Sequence, residues 1–396
     1  MDSNQIEKYF KNRNLDIRKC GNNPRFLDQK CAPDVVSFIA DCILQIDKER
    51  FDRNDIWNNK YFIKNASHIF GKPSPNNKAA DSEYDKFILQ PLDMLSYAKI
   101  LDKQKKSNRN VFIIKRKDIL EYIAMNERNT FNFMFCYLDK FIKDSNFNKY
   151  VDLFMKNQNK KSFDELKRKF IQFMRANSEI GSRNSSTGGA LEIRRIFPKI
   201  INVFAVKDGK KGTQKGTISS GQFLFADLMY NQINFRDMKK SKNITLAEEI
   251  KAKYSKPNIY QKFQMQKAMK WIKQHHPYSE VEDRLYGATA EVHHIFPKSQ
   301  FPKISYYIEN LIALTAGQHK DLAHPKGNST SIDSPYQQAC LRAKKKTIET
   351  QINKGETQYS MPNFIFVLSD GFKKTIPVNA NSSEIDEYIN QYYLEN

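Results

Sequence analysis

The sequence predicts a multidomain α+β protein, with a mostly helical N-terminal half and short strands in the C-terminal part. The chain has 396 residues, which is enough for two or three domains with hydrophobic cores. Apolar residues recur at helical spacing over much of residues 33–180. Between residues 290 and 324 there are two short apolar runs with a loop between them. A helical pattern follows the second run.

Composition bounds the class of protein. Apolar residues make up 40% of the chain, as in globular proteins, and no apolar run approaches the length of a membrane span. The first six residues lack the apolar core of a signal peptide. The five cysteines are Cys20, Cys31, Cys42, Cys136 and Cys340. Because they are scattered and lack CxxC spacing, we expect a cytoplasmic protein without disulfides or a cysteine zinc site.

The charge balance favours a polyanionic partner. The 65 Lys and Arg residues outnumber the 44 Asp and Glu residues and give a net charge of +21. Nucleic acid is the simplest partner for such an excess, and a lysine-rich bias of the whole proteome is the alternative. Charge alone leaves both open, so the choice depends on the motifs.

The first third of the chain contains an arm and a small folded unit. Residues 1–31 are polar and weakly periodic, so we interpret them as an N-terminal arm. Residues 32–117 contain three predicted helices and a β-hairpin with a basic tip. The helices cover residues 33–50, 54–57 and 82–98, and the strands cover 100–103 and 110–114.

Three helices followed by a basic hairpin are the order of elements in a winged helix, and residues 32–117 resemble that fold. The resemblance implies a DNA-recognition unit whose third helix lies in a groove. Lys105, Lys106 and Arg109 at the hairpin tip would then contact the DNA backbone. The alternative is a winged helix used for protein contacts, or a different small α/β unit.

Residues 118–180 are predicted to be helical. Their many aromatic residues are interpreted as core rather than as a base-stacking surface. The Gly- and Ser-rich stretch 181–189 has the composition of a linker, and a loop over DNA is its alternative. We therefore expect a C-terminal region that covers residues 190–396.

One basic feature stands out in the first part of this region. Residues 199–206 are predicted to form a buried strand, and the loop 207–217 that follows holds four lysines and three glycines. Glycine allows a backbone to approach phosphates closely. Lys210, Lys211 and Lys215 are therefore candidate DNA contacts, and a solvated hairpin tip is the alternative.

The remaining elements are mostly helical. Helices are predicted over residues 244–253, 259–275, 341–347 and 385–394, and a β-hairpin is predicted over 364–378. His275 and His276 end the second of these helices, where cations offset the helix dipole. We interpret this pair as a cap and not as metal ligands.

The stretch EVHHIFPKS, residues 291–299, contains candidate catalytic and metal-binding residues. It begins a predicted strand, and residues 311–314 form a second strand before a helix that starts after Thr315. Adjacent strand residues point to opposite sides, so His293 and His294 would have different functions. One would hold a metal ion, and the other would activate a water molecule.

Two later residues complete this constellation. His319 on the helix would hold the ion together with one histidine of the pair. Asn310 would orient the water-activating histidine, either directly or by bracing the loop.

The pattern EVHHIFPKS…ENLIALTAGQH…H resembles the HNH nuclease motif of the ββα-metal superfamily, with its core at residues 288–326. By motif position, the resemblance implies that His293 and His319 are metal ligands, His294 the general base and Asn310 the central Asn. Two features differ from the family. The first ligand position, frequently Asp, is His here, and no Cys pairs flank the motif.

The expected activity is hydrolysis of DNA phosphodiester bonds, because the chain resembles bacterial HNH-type restriction endonucleases. Magnesium is the expected ion, and Mn²⁺, Zn²⁺, Ni²⁺ or Co²⁺ would suit imidazole ligands. Glu291, Lys298 and His324 are additional site candidates. His324 lies five residues after His319, a spacing that does not face on an α-helix.

Double-stranded DNA is the expected partner, no membrane partner is expected, and the sequence leaves both a monomer and a homodimer open. The alternatives are a modification-dependent or low-specificity DNase, and a winged-helix DNA-binding protein with a relic HNH module.

Overall fold

The chain divides into two compact units, Met1–Lys240 and Ser241–Asn396. The computed structural model describes residues 3–19, 25–70, 74–77, 81–106, 109–178, 188–223, 225–230, 259–325, 327, 332–355, 358–377 and 380–395. Both units combine helices with small antiparallel sheets, and the predicted α+β class is confirmed. Within the described residues, no helix is long and apolar enough to cross a membrane.

The first unit is mostly helical. Its helices are α1 (Ser3–Lys11), α2 (Pro33–Gln45), α3 (Arg53–Trp57), α4 (Lys60–Phe70), α5 (Asp81–Tyr97), α6 (Lys117–Met125), α7 (Glu127–Asp144), α8 (Asn148–Asn157), α9 (Lys160–Asn177) and α10 (Gly188–Asp208). The helices predicted over residues 54–57 and 82–98 are confirmed as α3 and α5. The helix predicted over residues 33–50 is confirmed as α2 only as far as Gln45, and Arg50 belongs to a strand. Helix α4 was not predicted.

A three-stranded antiparallel sheet lies among these helices. The predicted hairpin is confirmed as β2 (Leu101–Lys106) and β3 (Arg109–Ile114), and its register pairs Lys106 with Arg109. A third strand, β1 (Arg50–Asp52), pairs with the other edge of β3. The basic residues of β2 are exposed because its outer edge has no strand partner among the described residues.

Aromatic residues form the core of this unit. Phe26 stacks on Phe141 with ring centroids 3.9 Å apart, and Tyr137 donates a hydrogen bond to the Phe26 carbonyl (2.6 Å). The backbone N–H of Leu15 donates to the Asp144 carboxylate (2.7 Å), so residues of the predicted arm are packed on α7. Phe133, like these rings, is buried, which confirms the core interpretation for this helix.

The strand predicted over residues 199–206 is wrong, because these residues belong to α10. Its β-branched residues resemble a buried strand when they are taken alone. The longer window has apolar residues at helical spacing, and the buried ones are Ile193, Ile196, Phe197, Ile200, Ile201 and Phe204. Packing of this face against α7, α8 and α9 outweighs the local β-propensity.

The lysine–glycine loop forms a hairpin of β4 (Lys211–Gln214) and β5 (Thr217–Gln222). Lys215 and Gly216 occupy the turn with φ of 52° and 81°, as a two-residue hairpin turn with positive φ at both positions requires. This arrangement matches the alternative of a solvated tip. Helix α10 packs on β4, so this hairpin lies in the first unit and not with the C-terminal region 190–396.

The second unit contains α11 (Ile259–His275), β6 (Glu291–His294), β7 (Leu311–Leu314), a π-helix (Gln318–Ala323), α12 (Ser334–Asn353), α13 (Met361–Phe372) and α14 (Ser382–Glu395). Strands β6 and β7 pair antiparallel, with His293 opposite Ile312. The predicted helices over 259–275, 341–347 and 385–394 are confirmed. The helix predicted over 244–253 and most of the stretch 181–189 lie outside the described residues.

The hairpin predicted over residues 364–378 is wrong, because Met361–Phe372 is a helix. Its Ser-Asp-Gly sequence is typical of a turn, yet Phe364, Ile365 and Leu368 are buried at helical spacing. The Ser369 hydroxyl donates to the Ile365 carbonyl (2.8 Å), which keeps this residue within the helix. Burial of the apolar face therefore outweighs the turn signal.

Gly371 provides a test of this helix packing. A Cβ atom at Gly371 would overlap the ring of Phe296, so Gly371→Ala forces a shift in the core. We expect the free energy of unfolding to fall by about 1–3 kcal/mol, as for other overpacked sites. Denaturant unfolding followed by circular dichroism measures this change. The control is Gly287→Ala, because the nearest neighbour of its Cβ would be 3.7 Å away. Equal losses in both variants would contradict the packing of α13.

Candidate metal centre

The β6–β7 pair places two adjacent histidines on opposite sides of one strand. Side chains alternate along β6, so His293 points away from His294. His293 is buried, with 6% of its surface exposed, and His294 is half-buried. The predicted separation of their functions is therefore compatible with the strand geometry.

Three imidazoles meet on the His293 side. The ring centroids lie 5.1 Å apart for His293 and His319, 4.9 Å for His293 and His324, and 5.0 Å for His319 and His324. One nitrogen from each ring lies within 4.8 Å of the other two. The three rings thus form a nearly equilateral triangle that brings one nitrogen donor of each close to the other two.

The donor set fits a metal ion. The Nε2 atom of His293 is buried and has no hydrogen-bond partner among the described residues. An unpaired buried nitrogen costs free energy, and a metal ion would satisfy it. Two nitrogens bound to one tetrahedral ion at about 2.0–2.1 Å lie roughly 3.3 Å apart, so shifts on the order of 1 Å would close the triangle.

A π-helix explains how His324 joins the other two histidines. His324 lies five residues after His319, and this spacing does not face on an α-helix. The segment Gln318–Ala323 is instead π-helical, and a π-helix places residues five apart one above the other. The structure therefore brings His324 to His319 and His293, where the sequence had suggested a weaker contribution.

The electrostatic environment favours the neutral form of His293 and of His319. Burial, with smaller contributions from His319 and His324, lowers the pKa of His293 to about 3. The pKa of His319 is also lowered, first by burial and then by His324, whereas Glu291 opposes the shift. Neutral imidazole is the form that binds metal ions. The site is thus prepared for an ion at neutral pH.

His294 is held by a backbone carbonyl on the other side of β6. Its Nε2–H donates to the Ser305 carbonyl at 3.0 Å, because a carbonyl can only accept. In the neutral ring the lone pair then lies on Nδ1. Burial lowers the pKa of His294, Ser305 opposes this shift, and the charge of Lys298 adds to it. A neutral ring with a free Nδ1 lone pair has the chemistry of a general base.

Asn310 braces the loop between β6 and β7. Its side-chain oxygen accepts the Phe296 N–H (2.8 Å), and its amide donates to the carbonyls of Phe296 (3.1 Å) and Ile304 (3.3 Å). The Ile304 contact lies next to Ser305, the partner of His294. Of the two functions that the sequence left open for Asn310, the geometry corresponds to bracing and not to direct contact with His294.

The other candidate residues lie at the rim. Glu291 is exposed on the same face of β6 as His293, and its charge raises the pKa of His319 against the effect of burial. Lys298 is exposed in the turn after β6, where its charge acts on His294. The candidate DNA contacts Lys105, Lys106, Arg109, Lys210, Lys211 and Lys215 belong to the first unit.

A buried ion pair behind β7 was not predicted. Glu280 pairs with the outer edge of β7, because its N–H donates to the Ala313 carbonyl and its carboxylate accepts the Ala313 N–H, both at 2.9 Å. Lys344 from α12 contacts this carboxylate at 2.6 Å. Burial raises the pKa of Glu280, but the charges of Lys344 and His276 and the hydrogen bonds from Lys344 and Ala313 together lower it below its ordinary value. No local signal identifies such a pair, because its partners are 64 residues apart.

The two histidines that end α11 have different environments. His275 bonds to the Trp271 carbonyl (3.0 Å), as expected of a helix cap. His276 is instead buried and hydrogen-bonded to the Tyr359 hydroxyl (2.7 Å), which also accepts from Lys344 (3.0 Å). His276 therefore belongs to the network around Glu280 and Lys344.

This network predicts a loss of stability in acid. Burial lowers the pKa of His276 to about 4, against an ordinary value of 6.5. The unfolded state therefore binds more protons between pH 6.5 and 4, and the unfolding free energy falls as the pH falls through this window. We expect His276→Gln to flatten this slope, by at most about 1.4 kcal/mol per pH unit. Denaturant unfolding at several pH values measures it, and an unchanged slope would contradict the assignment.

Metal binding provides a direct test of the histidine triangle. Structural zinc binding amounts to about 10–16 kcal/mol over four ligands, so one ligand contributes on the order of 3 kcal/mol, or roughly 100-fold in affinity. We expect His293→Ala, His319→Ala and His324→Ala each to weaken binding of Zn²⁺ or Mn²⁺ to this degree in titration calorimetry. His275→Ala, which removes an exposed imidazole, is the control. Wild-type affinity in all three variants would exclude the site.

Comparisons with protein-family models, with curated proteins and with solved structures found no match. The function of the site is therefore inferred from the geometry of its histidines and from the resemblance of the motif.

Proposed function

We propose that this chain is a metal-dependent DNA endonuclease of the HNH kind. The observation that carries the proposal is the division of the histidines by β6. His293 meets His319 and His324 on one side with an unpaired buried nitrogen, and His294 is oriented by Ser305 on the other. A cation site and a neutral imidazole base are the two groups that phosphodiester hydrolysis requires.

Each residue has a separate function in this proposal. His294 takes a proton from the attacking water on Nδ1, because its Nε2–H is engaged by Ser305. Asn310 keeps the Phe296–Ile304 loop in place, and thereby the carbonyl that orients His294. A divalent cation held by His293, His319 and His324 would neutralise charge on the phosphate and the leaving oxygen.

The donor set bears on the choice of ion. Three imidazoles suit Zn²⁺, Mn²⁺, Ni²⁺ or Co²⁺, whereas Mg²⁺ favours oxygen ligands. Glu291 lies on the same strand face as His293 and offers a carboxylate oxygen. Magnesium, the ion expected from the motif, would depend on this carboxylate, on water and on the substrate phosphate.

We propose double-stranded DNA as the substrate and a winged-helix-like unit over residues 32–117 as its recognition element. Helices α2, α3, α4 and α5 precede the β2–β3 hairpin, one helix more than the sequence predicted, and Lys105 and Lys106 are exposed on the hairpin. The exposed lysines support DNA binding by this unit, and the resemblance of the motif favours a sequence-specific enzyme of the restriction type. The intact set of His293, His294 and His319 favours an active nuclease over a relic module.

The role of His294 is tested by its removal. We expect His294→Ala to lower the rate of plasmid cleavage by about 10²–10⁴-fold, the usual cost of losing a general base. Metal affinity in titration calorimetry should stay unchanged, because His294 lies on the other side of the strand. Chelation by EDTA should stop cleavage, and Mn²⁺ or Mg²⁺ should restore it.

The control for this experiment is His275→Ala, which removes an exposed histidine of the same unit. Turnover near that of the wild type in the His294 variant would remove this residue from its proposed role. Cleavage that persists in EDTA would exclude a metal-dependent reaction.

A further inference from the structure

Helix α9 and the β4–β5 hairpin form one of the basic regions of the first unit. Helix α9 and residues 207–217 contain ten basic and three acidic residues, and so carry +7 of the net charge of +21. These two segments make up less than a tenth of the chain and hold a third of its excess charge. A concentration of this kind is the electrostatic footprint of a polyanion site.

The cations of α9 lie on one side of the helix. Its buried residues include Phe163, Leu166, Phe170 and Met174. Successive residues are about 100° apart, so five cations fall within about 120° of arc on one flank of the buried face. They are Lys160, Lys161, Lys167, Arg168 and Arg175. Asp164 is the single carboxylate in this arc, which therefore forms a basic stripe.

The stripe faces the β4–β5 hairpin. The Lys167 ammonium donates to the Gly216 carbonyl at the hairpin turn (2.6 Å), which places the turn on the same flank. The Gln158 side chain, just before α9, accepts the N–H of Lys211 on β4 (2.6 Å). The exposed Lys210 and Lys211 of the hairpin therefore continue the stripe.

Five of these cations have no ion-pair partner in the part of the chain that the structure describes. They are Lys160, Lys161 and Arg168 on α9, with Lys210 and Lys211 at the hairpin. On the β2–β3 hairpin, Lys103 pairs with Asp93 at 2.7 Å, and Arg109 lies 3.9 Å from Asp52. The five cations on and beside α9 are therefore available to an external anion.

We propose that the stripe on α9, continued by the β4–β5 hairpin, binds the phosphate backbone of duplex DNA. From Lys160 to Arg175 the helix rises about 22 Å. One DNA strand rises about 3.4 Å along the duplex axis per phosphate, so this length corresponds to the axial rise of roughly six phosphates. The surface supplies charge without base-reading geometry, so we expect binding that is independent of sequence.

The composition of the surface distinguishes DNA from a membrane. Helices that lie on membranes bury an apolar face in the headgroup region. The exposed large apolar side chains of the described residues lie elsewhere, and none is on α9 or the hairpin. Electrostatic attraction to phosphates is therefore the interaction that this surface offers.

The inference rests on the proposed nuclease function for its choice of duplex DNA, but its test does not require cleavage. The full chain with His294→Ala is used in EDTA, and its affinity for a 30-bp duplex, of roughly three helical turns, is measured by fluorescence anisotropy over a range of salt concentrations. Lys160, Lys161 and Arg168 are then replaced by alanine together. We expect weaker binding and a loss of about 2–3 units in the slope of log affinity against log salt, since each phosphate contact contributes about 0.9.

The matched control replaces Lys8, Lys11 and Lys19, which are exposed elsewhere in the unit, and changes the net charge equally. A loss of slope in the control as large as in the α9 variant would show a general charge effect and overturn the proposal. A second comparison replaces Lys105, Lys106 and Arg109. If only this variant loses slope, binding lies on the β2–β3 hairpin and not on α9.

The outcomes separate this inference from the nuclease proposal. If the α9 variant keeps the salt slope and the chain that retains His294 cleaves DNA, the proposed DNA-binding surface is wrong and the nuclease proposal stands. If the α9 variant has a reduced slope and the chain that retains His294 does not cleave DNA, the DNA-binding surface stands and the nuclease proposal is wrong. Binding to vesicles of anionic lipid without binding to the duplex would overturn DNA as the partner.

Discussion

The pairing of β6 with β7 is the constraint on which the candidate metal centre depends. Over four residue pairs it fixes which side of the strand each histidine occupies, because a shift of register by one residue would exchange the two sides. His293 then meets His319 and His324, and His294 meets the Ser305 carbonyl. Two chemically identical side chains acquire different environments from their alternation alone.

The surroundings hold this short pair with buried polar contacts. Glu280 binds the outer edge of β7 and is neutralised by Lys344, and Asn310 closes the loop that follows β6. The buried ion pair and the Asn310 contacts supply rigidity around these strands. Removing one partner of such a pair is costly, because it leaves an uncompensated buried charge.

The first unit combines an aromatic core with two basic surfaces of different character. The β2–β3 hairpin shares part of its charge with Asp93 and Asp52, whereas Lys160, Lys161 and Arg168 of α9 have no ion-pair partner among the described residues. Under the proposed function, the β2–β3 hairpin would make contacts at defined positions on the DNA, and α9 would attract phosphates generally. Recognition and attraction would then be separable by mutation, as the salt dependence of binding can show.

The sequence by itself determined the elements whose signals are local. The period of two on β6 separated His293 from His294, and the apolar faces of α2 and α5 defined these helices. Tertiary structure decided the rest. Residues 199–206 and 364–372 became helical because packing of a longer apolar face outweighs local propensity. His324 joined the triangle only because Gln318–Ala323 adopts a π-helix, and no residue spacing in the sequence announces that change of helical pitch.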